Sequence, residues 1–145
     1  MKSKIKYNFP VDKNRIQKIS TTESVAHKIY KNSIDFIVPI GTPIKAAADG
    51  IVIDLKSDSD KGGVNKQYEK FENFIEIRHN DEYSYYGHIQ KNGAVVKIGD
   101  KVRTGQIIGY SGATGWLANI KKPHLHFMVG KYLYQNLKID FKKPI

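Results

Sequence analysis

The chain is a succession of short β-branched and aromatic runs, each stopped by a turn bearing Gly, Pro, Asn or Asp, and no stretch carries a helical apolar period. Such punctuation builds strands of about four to eight residues, so the expected fold class is all-β: antiparallel sheets of short strands in a barrel-like sandwich. Ile34-Asp35-Phe36-Ile37-Val38 reads as a strand before the turn Ile40-Gly41-Thr42-Pro43. Residues 44–48 and 51–55 around Asp49-Gly50 read as a hairpin, as do 74–79 and 83–89 around Asn80-Asp81-Glu82. Shorter strands are expected at 95–102 and 105–110. Lys131-Tyr132-Leu133-Tyr134 either extends the strand before it or pairs back on it. Residues 1–26 form an irregular lead-in with one short strand, packed across a single domain that occupies 27–145. Residues 56–72 form a long polar loop.

Two motif-like stretches carry less than they suggest. Ser111-Gly112-Ala113-Thr114-Gly115 lacks the Lys-Ser/Thr ending and following helix of a phosphate-binding loop, so a tight turn is expected. Asp58, Asp60, Gly63 and Glu69 approach the spacing of a calcium loop, but Gly62 falls where a side-chain oxygen is needed and neither flank reads as helical.

At 145 residues the chain is long enough for one hydrophobic core. With no cysteine, a transition metal would have to be held by His, Asp or Glu. The formal charge of +10 attracts polyanions, yet the lysines stand singly or in pairs rather than on a basic helix, so a nucleic-acid partner is not expected. Basic residues at 2, 4 and 6 are not followed by an apolar signal core, and no apolar run approaches a membrane span. No membrane insertion is expected; action outside the cell would need a removed signal or another export route.

The chemistry rests on five histidines, at 27, 79, 88, 124 and 126. In Pro123-His124-Leu125-His126-Phe127, strand alternation turns both rings to one face and Leu125 and Phe127 to a core. A carboxylate beside imidazoles suits a borderline cation, with two nitrogens and one oxygen leaving a tetrahedral corner open to water. Asp35, eight residues after His27, is the candidate carboxylate. Each residue also has a structural explanation: Asp35 as a turn cap, His27 as a solvated loop residue, His88 as a ring packed beside Tyr86.

These segments together resemble the lysostaphin/LytM-type zinc metallopeptidases, peptidoglycan endopeptidases built on a duplicated hybrid motif of antiparallel sheets. The likeness is carried by His27 with Ile34-Asp35-Phe36, by Gly41-Thr42-Pro43 with Ala48-Asp49-Gly50, and by Tyr86-Gly87-His88. Gly105-Gln106-Ile107-Ile108-Gly109 and Pro123-His124-Leu125-His126-Phe127 follow in the family's order. The resemblance implies one Zn2+ held by His27, Asp35 and His126, with His88 and His124 as catalytic histidines. Seven residues separate His27 from Asp35, a longer spacing than the family's first motif most often has. His79 matches a recurrent family histidine without a ligand role and is expected to be structural or to support the site from behind the ligands. Tyr86 is expected to pack rather than to line the groove.

The function implied is a zinc endopeptidase acting on a stem or cross-bridge peptide of the cell wall, as a monomer in the envelope or secreted. Its basic surface would adhere to anionic wall polymers, and the 56–72 insertion would form one wall of a shallow groove. Two alternatives share the fold: a non-catalytic module that binds wall or activates a partner hydrolase, and a sugar-transport phosphocarrier using paired histidines.

Overall fold

The computed structural model describes residues 1–21, 32–118, 120–131 and 135–142. In chain order its strands are β1 (Lys2–Tyr7), β2 (Lys18–Ser20), β3 (Ile34–Ile37), β4 (Pro43–Lys45), β5 (Gly50–Lys56), β6 (Gly62–Gly63) and β7 (Phe74–His79). They continue as β8 (Glu82–Gly87), β9 (Lys101–Val102), β10 (Ile107–Tyr110), β11 (Gly115–Trp116), β12 (His124–Lys131), β13 (Gln135–Asn136) and β14 (Lys138–Phe141). The main sheet runs β2-β3-β12-β8-β7-β5-β9, with β13 paired to the end of β12. Every pairing in it is antiparallel, as is the separate pair β4 and β10. Two small parallel pairs complete the fold, β1 with β14 and β6 with β11.

The mostly antiparallel all-β architecture agrees with the sequence reading. The hairpin at 74–89 is present as β7 and β8, with Asn80 taking a positive φ of 58° in the tight turn. The hairpin at 44–55 is not formed. β4 pairs with β10, while β5 pairs with β7 and β9. The reason is where the backbone groups go: Ala46 N–H donates to the Gln106 carbonyl, Gly105 N–H to the Ala46 carbonyl, and Ala47 N–H to the Tyr86 hydroxyl. Residues 95–98 are not a strand either; Val95 N–H donates to the Ile108 carbonyl, and Gly99 N–H to that of Val52. The polar insertion contains β6 and a short 3-10 helix, Lys66–Phe71, in place of a structureless loop. Among its described residues the N-terminal lead-in contains two strands rather than one.

Alternation along β12 sets Leu125, Phe127 and Val129 into the core with Phe36, Ile75 and Tyr86. Phe127 packs tilted against Tyr86 at a ring-centroid distance of 5.3 Å and edge-on against Phe36 at 6.3 Å. The opposite face of the same strands carries Asp35, His126, Gly87 and Phe74 in one cross-strand row, and Met128, Tyr85 and Glu76 in the next. One strand therefore supplies core on one side and chemistry on the other.

Beneath the sheet, a buried polar chain runs through β7 and β8. His79 Nδ1 lies 2.5 Å from the Asp49 carbonyl and must donate, so Nε2 accepts from the Ser84 hydroxyl at 2.8 Å. Ser84 in turn accepts from the Tyr86 hydroxyl at 2.7 Å, and Tyr86 accepts from Ala47 N–H at 2.9 Å. His79 and Tyr86 are thus structural, as expected. Burial holds the Tyr86 hydroxyl up at about 12. Glu82, expected in the turn, is the buried first residue of β8; its carboxylate accepts from Lys4 N–H at 2.7 Å and from the Tyr7 hydroxyl at 2.9 Å, tying β1 to the sheet.

Two predictions follow from this chain of bonds. Tyr86→Phe leaves the Ala47 N–H without its acceptor and should lower unfolding free energy by about 1–3 kcal/mol in urea denaturation. Burial lowers the His79 pKa below its ordinary 6.5, despite the Asp49 carbonyl beside it. The unfolded chain then binds the proton more readily, so this group removes stability as pH falls below 6.5. Urea midpoints at about pH 7.5 and about pH 5.5 should differ less in His79→Gln than in the native chain.

Candidate active site

Asp35 lies directly opposite His126 in the β3–β12 pair, and directly opposed residues project from the same face. The register brings His126 Nδ1 to 2.9 Å from Asp35 Oδ1. His124, on the same face one step along β12, places Nε2 3.9 Å from that oxygen. On the other side of β12, Gly87 is opposite His126, and the chain leaves β8 at the next residue. His88 has a φ of 66°, a left-handed conformation that costs a non-glycine residue about 1–2 kcal/mol. Its carbonyl accepts from Gly112 N–H at 2.8 Å, which holds the bend. The bend sets the His88 ring against both strand histidines, 4.6 Å from His124 and 5.8 Å from His126 between centroids.

The structure therefore gathers Asp35 from β3, His124 and His126 from β12 and His88 from the bend after β8, and all four are buried. His27 lies outside the described residues. Among the described residues no group of three or more His, Asp or Glu is arranged to hold a metal by itself.

Hydrogen bonds assign the ring nitrogens. His124 Nδ1–H donates to the Lys122 carbonyl at 2.9 Å, so its Nε2 carries the lone pair and faces Asp35. His88 Nδ1 faces two acceptors, the Thr114 carbonyl at 2.6 Å and Glu72 Oε1 at 3.0 Å. Nδ1 must carry a proton, and Nε2 is the nitrogen left for chemistry. Burial, then the neighbouring His88, press the His124 pKa down to about 4, so this ring is neutral at neutral pH. For His88 burial also works downward, but the Glu72 carboxylate outweighs it and the pKa is raised. Burial works upward on Glu72, and the facing His88 outweighs it, leaving the carboxyl pKa lowered.

Glu72 was not among the residues singled out from sequence. It ends the polar insertion, two residues before β7, and nothing in its spacing marks it; only the fold carries it to His88. With Glu69, Tyr85, His88, Trp116, His126 and Met128 it lines a cavity of about 200 Å³ beside the histidines. A wider groove, about 790 Å³, includes Lys6, Arg78, Lys101, Arg103 and Lys142 and none of the four clustered residues. The chemistry lies in the smaller cavity, since that is where the buried rings and carboxylates meet.

Residues 29–140 match the model of Peptidase family M23. The chain is 38% identical over 96 residues to lysostaphin from Staphylococcus simulans, covering 65% of this chain and 17% of lysostaphin. It is 38% identical over 95 residues to the peptidoglycan DD-endopeptidase ShyC of Vibrio cholerae, covering 64% of this chain and 18% of ShyC. It thus spans under a fifth of the length of either of these relatives. A zinc-containing peptidase from Vibrio cholerae superposes with a TM-score of 0.65 at 28% identity, over 95% of this chain and 41% of that one. The ordered motifs, the all-β fold and the match across most of the sequence lead to one conclusion: this chain belongs to peptidase family M23.

Proposed function

We propose that the chain is a zinc metalloendopeptidase that hydrolyses peptide bonds in the stem or cross-bridge of bacterial peptidoglycan. The observation that carries this reading is the buried cluster in which one carboxylate and three imidazoles converge. Kinship with lysostaphin and with a named peptidoglycan DD-endopeptidase supports the substrate class. The domain would occupy 27–145, with residues 1–26 packed on it, and work at the cell envelope or outside the cell. The cationic groove, with Lys6, Arg78, Lys101, Arg103 and Lys142 along it, suits adhesion to anionic wall polymers at low salt.

The two described donors support the zinc reading. His126 Nδ1 and Asp35 Oδ1 are 2.9 Å apart, within a few tenths of an ångström of the tetrahedral edge implied by bonds of about 2.0–2.1 Å. We assign His27, Asp35 and His126 as the residues that would hold it. When bound, zinc supplies Lewis acidity that eases deprotonation of water at neutral pH.

The remaining work falls to the protein's own groups. His124, neutral and with Nε2 bare, accepts the proton of the attacking water. His88, anchored through Nδ1, directs Nε2 at the substrate carbonyl oxygen as that oxygen gains negative charge. Burial of all four residues keeps bulk water from screening these interactions.

The test is digestion of purified peptidoglycan, with fragments identified by mass spectrometry and zinc measured by elemental analysis. Asp35→Ala and His126→Ala should lose both zinc and activity. His124→Ala should keep zinc while kcat falls about 10²–10⁴-fold, the usual range for a lost general base. A native chain that binds zinc stoichiometrically and releases no fragments from any wall type would overturn the assignment.

A further inference from the structure

We propose that Glu72 is a positioning residue, holding the His88 imidazole so that Nε2 points toward the scissile bond; the inference rests on the hydrolase reading above. Both carboxylate oxygens are engaged. Oε1 lies 3.0 Å from His88 Nδ1, and Oε2 accepts from the Tyr85 hydroxyl. The side chain is 17% exposed, so its charge is largely removed from water, and these contacts offset the cost of burying it.

The surrounding backbone is shaped to admit this carboxylate. Gly115, with φ of +86°, lies so near that a Cβ there would come within 2.4 Å of the Glu72 Cβ. At Gly87 a Cβ would come within 2.8 Å of Glu72 Oε2. Two strands therefore omit side chains where Glu72 passes between them.

The adjoining residue is locked as well. Asn73 N–H donates to Thr114 Oγ1 at 3.1 Å, and its side-chain amide both donates to the Ser59 carbonyl and accepts from Ser59 N–H. Thr114 is the same residue whose carbonyl accepts from His88 Nδ1. The polar insertion is thus clamped at the residue beside Glu72, and Glu72 transmits that fixed position to the ring. The Thr114 carbonyl takes the Nδ1–H, and the Glu72 carboxylate beside the same nitrogen reinforces that tautomer and restricts ring rotation, as carboxylate partners do for histidines at metal sites and in hydrolase triads.

The experiment compares the native chain with Glu72→Gln and Glu72→Asp. Glu72→Gln keeps the shape and removes the charge. Its kcat should fall about 10–100-fold, with KM, zinc content and melting temperature close to native. Glu72→Asp, retaining the charge on a shorter stem, should recover part of that loss. Nitrogen-15 imidazole spectra, recorded with and without zinc, give a readout independent of turnover. The native His88 should show a protonated Nδ1 with a downfield, slowly exchanging proton; in Glu72→Gln that proton should move upfield or exchange away. Native kcat and an unchanged His88 resonance in Glu72→Gln would overturn the proposal. So would a kcat loss fully matched by lost zinc or lost stability. If the native chain itself cleaves no wall peptide, the hydrolase reading fails, while the His88 resonance still decides whether Glu72 positions the ring. Should Glu72→Gln fail to fold, the same spectra of Glu72→Asp decide it, an unaltered ring environment counting against.

Discussion

The antiparallel pairing of β3 with β12 is the constraint on which the rest depends. Strand side chains alternate with a period of two, so a slip of one residue would turn Asp35 to the core and leave His126 facing an apolar neighbour. The register is held from the opposite face, where Phe36 pairs with Leu125 and Ile34 with Phe127. Apolar burial on one side thus sets the meeting of carboxylate and imidazole on the other. The core and the site share one register.

Burial gives that meeting its chemical character. Four polar residues withdrawn from water must satisfy one another or find backbone partners, and they do so in a directed way. Carbonyls of Lys122 and Thr114 each take an Nδ1–H from a histidine, which leaves both Nε2 atoms for the site. The two rings then differ because their surroundings differ. The ring contact is common to both, but the Glu72 carboxylate stands 3.0 Å from His88 Nδ1, whereas the Asp35 oxygen lies 3.9 Å from His124 Nε2.

The polar insertion changes meaning once it is seen folded. Two glycines of β6 lie beside β11, the 3-10 helix packs near Trp116, and Asn73 ties the end of the segment to Ser59 and Thr114. Lys66 lies 5.9 Å from the Trp116 ring centroid, and Lys61 4.9 Å from that of Phe71, so the basic residues here cover aromatic surface while remaining hydrated. An insertion built this way delivers Glu72 to His88 as a fixed group.

Read alone, the sequence determined the all-β class, the β7–β8 hairpin and the placing of His124 and His126 on one face of a strand, because alternation and turn chemistry act over a few residues. Its ordered motifs also singled out Asp35 and His88 as partners. It did not determine that residues 44–48 would leave β5 for β10 and Gln106, since those partners lie far along the chain and compete for the same backbone groups. Nor did it reveal Glu82 as a buried anchor for β1, or Glu72 as the partner of His88. An acidic residue in a polar stretch reads as solvated until tertiary packing removes its water; only the folded chain decided which carboxylates would be buried, and against which donors.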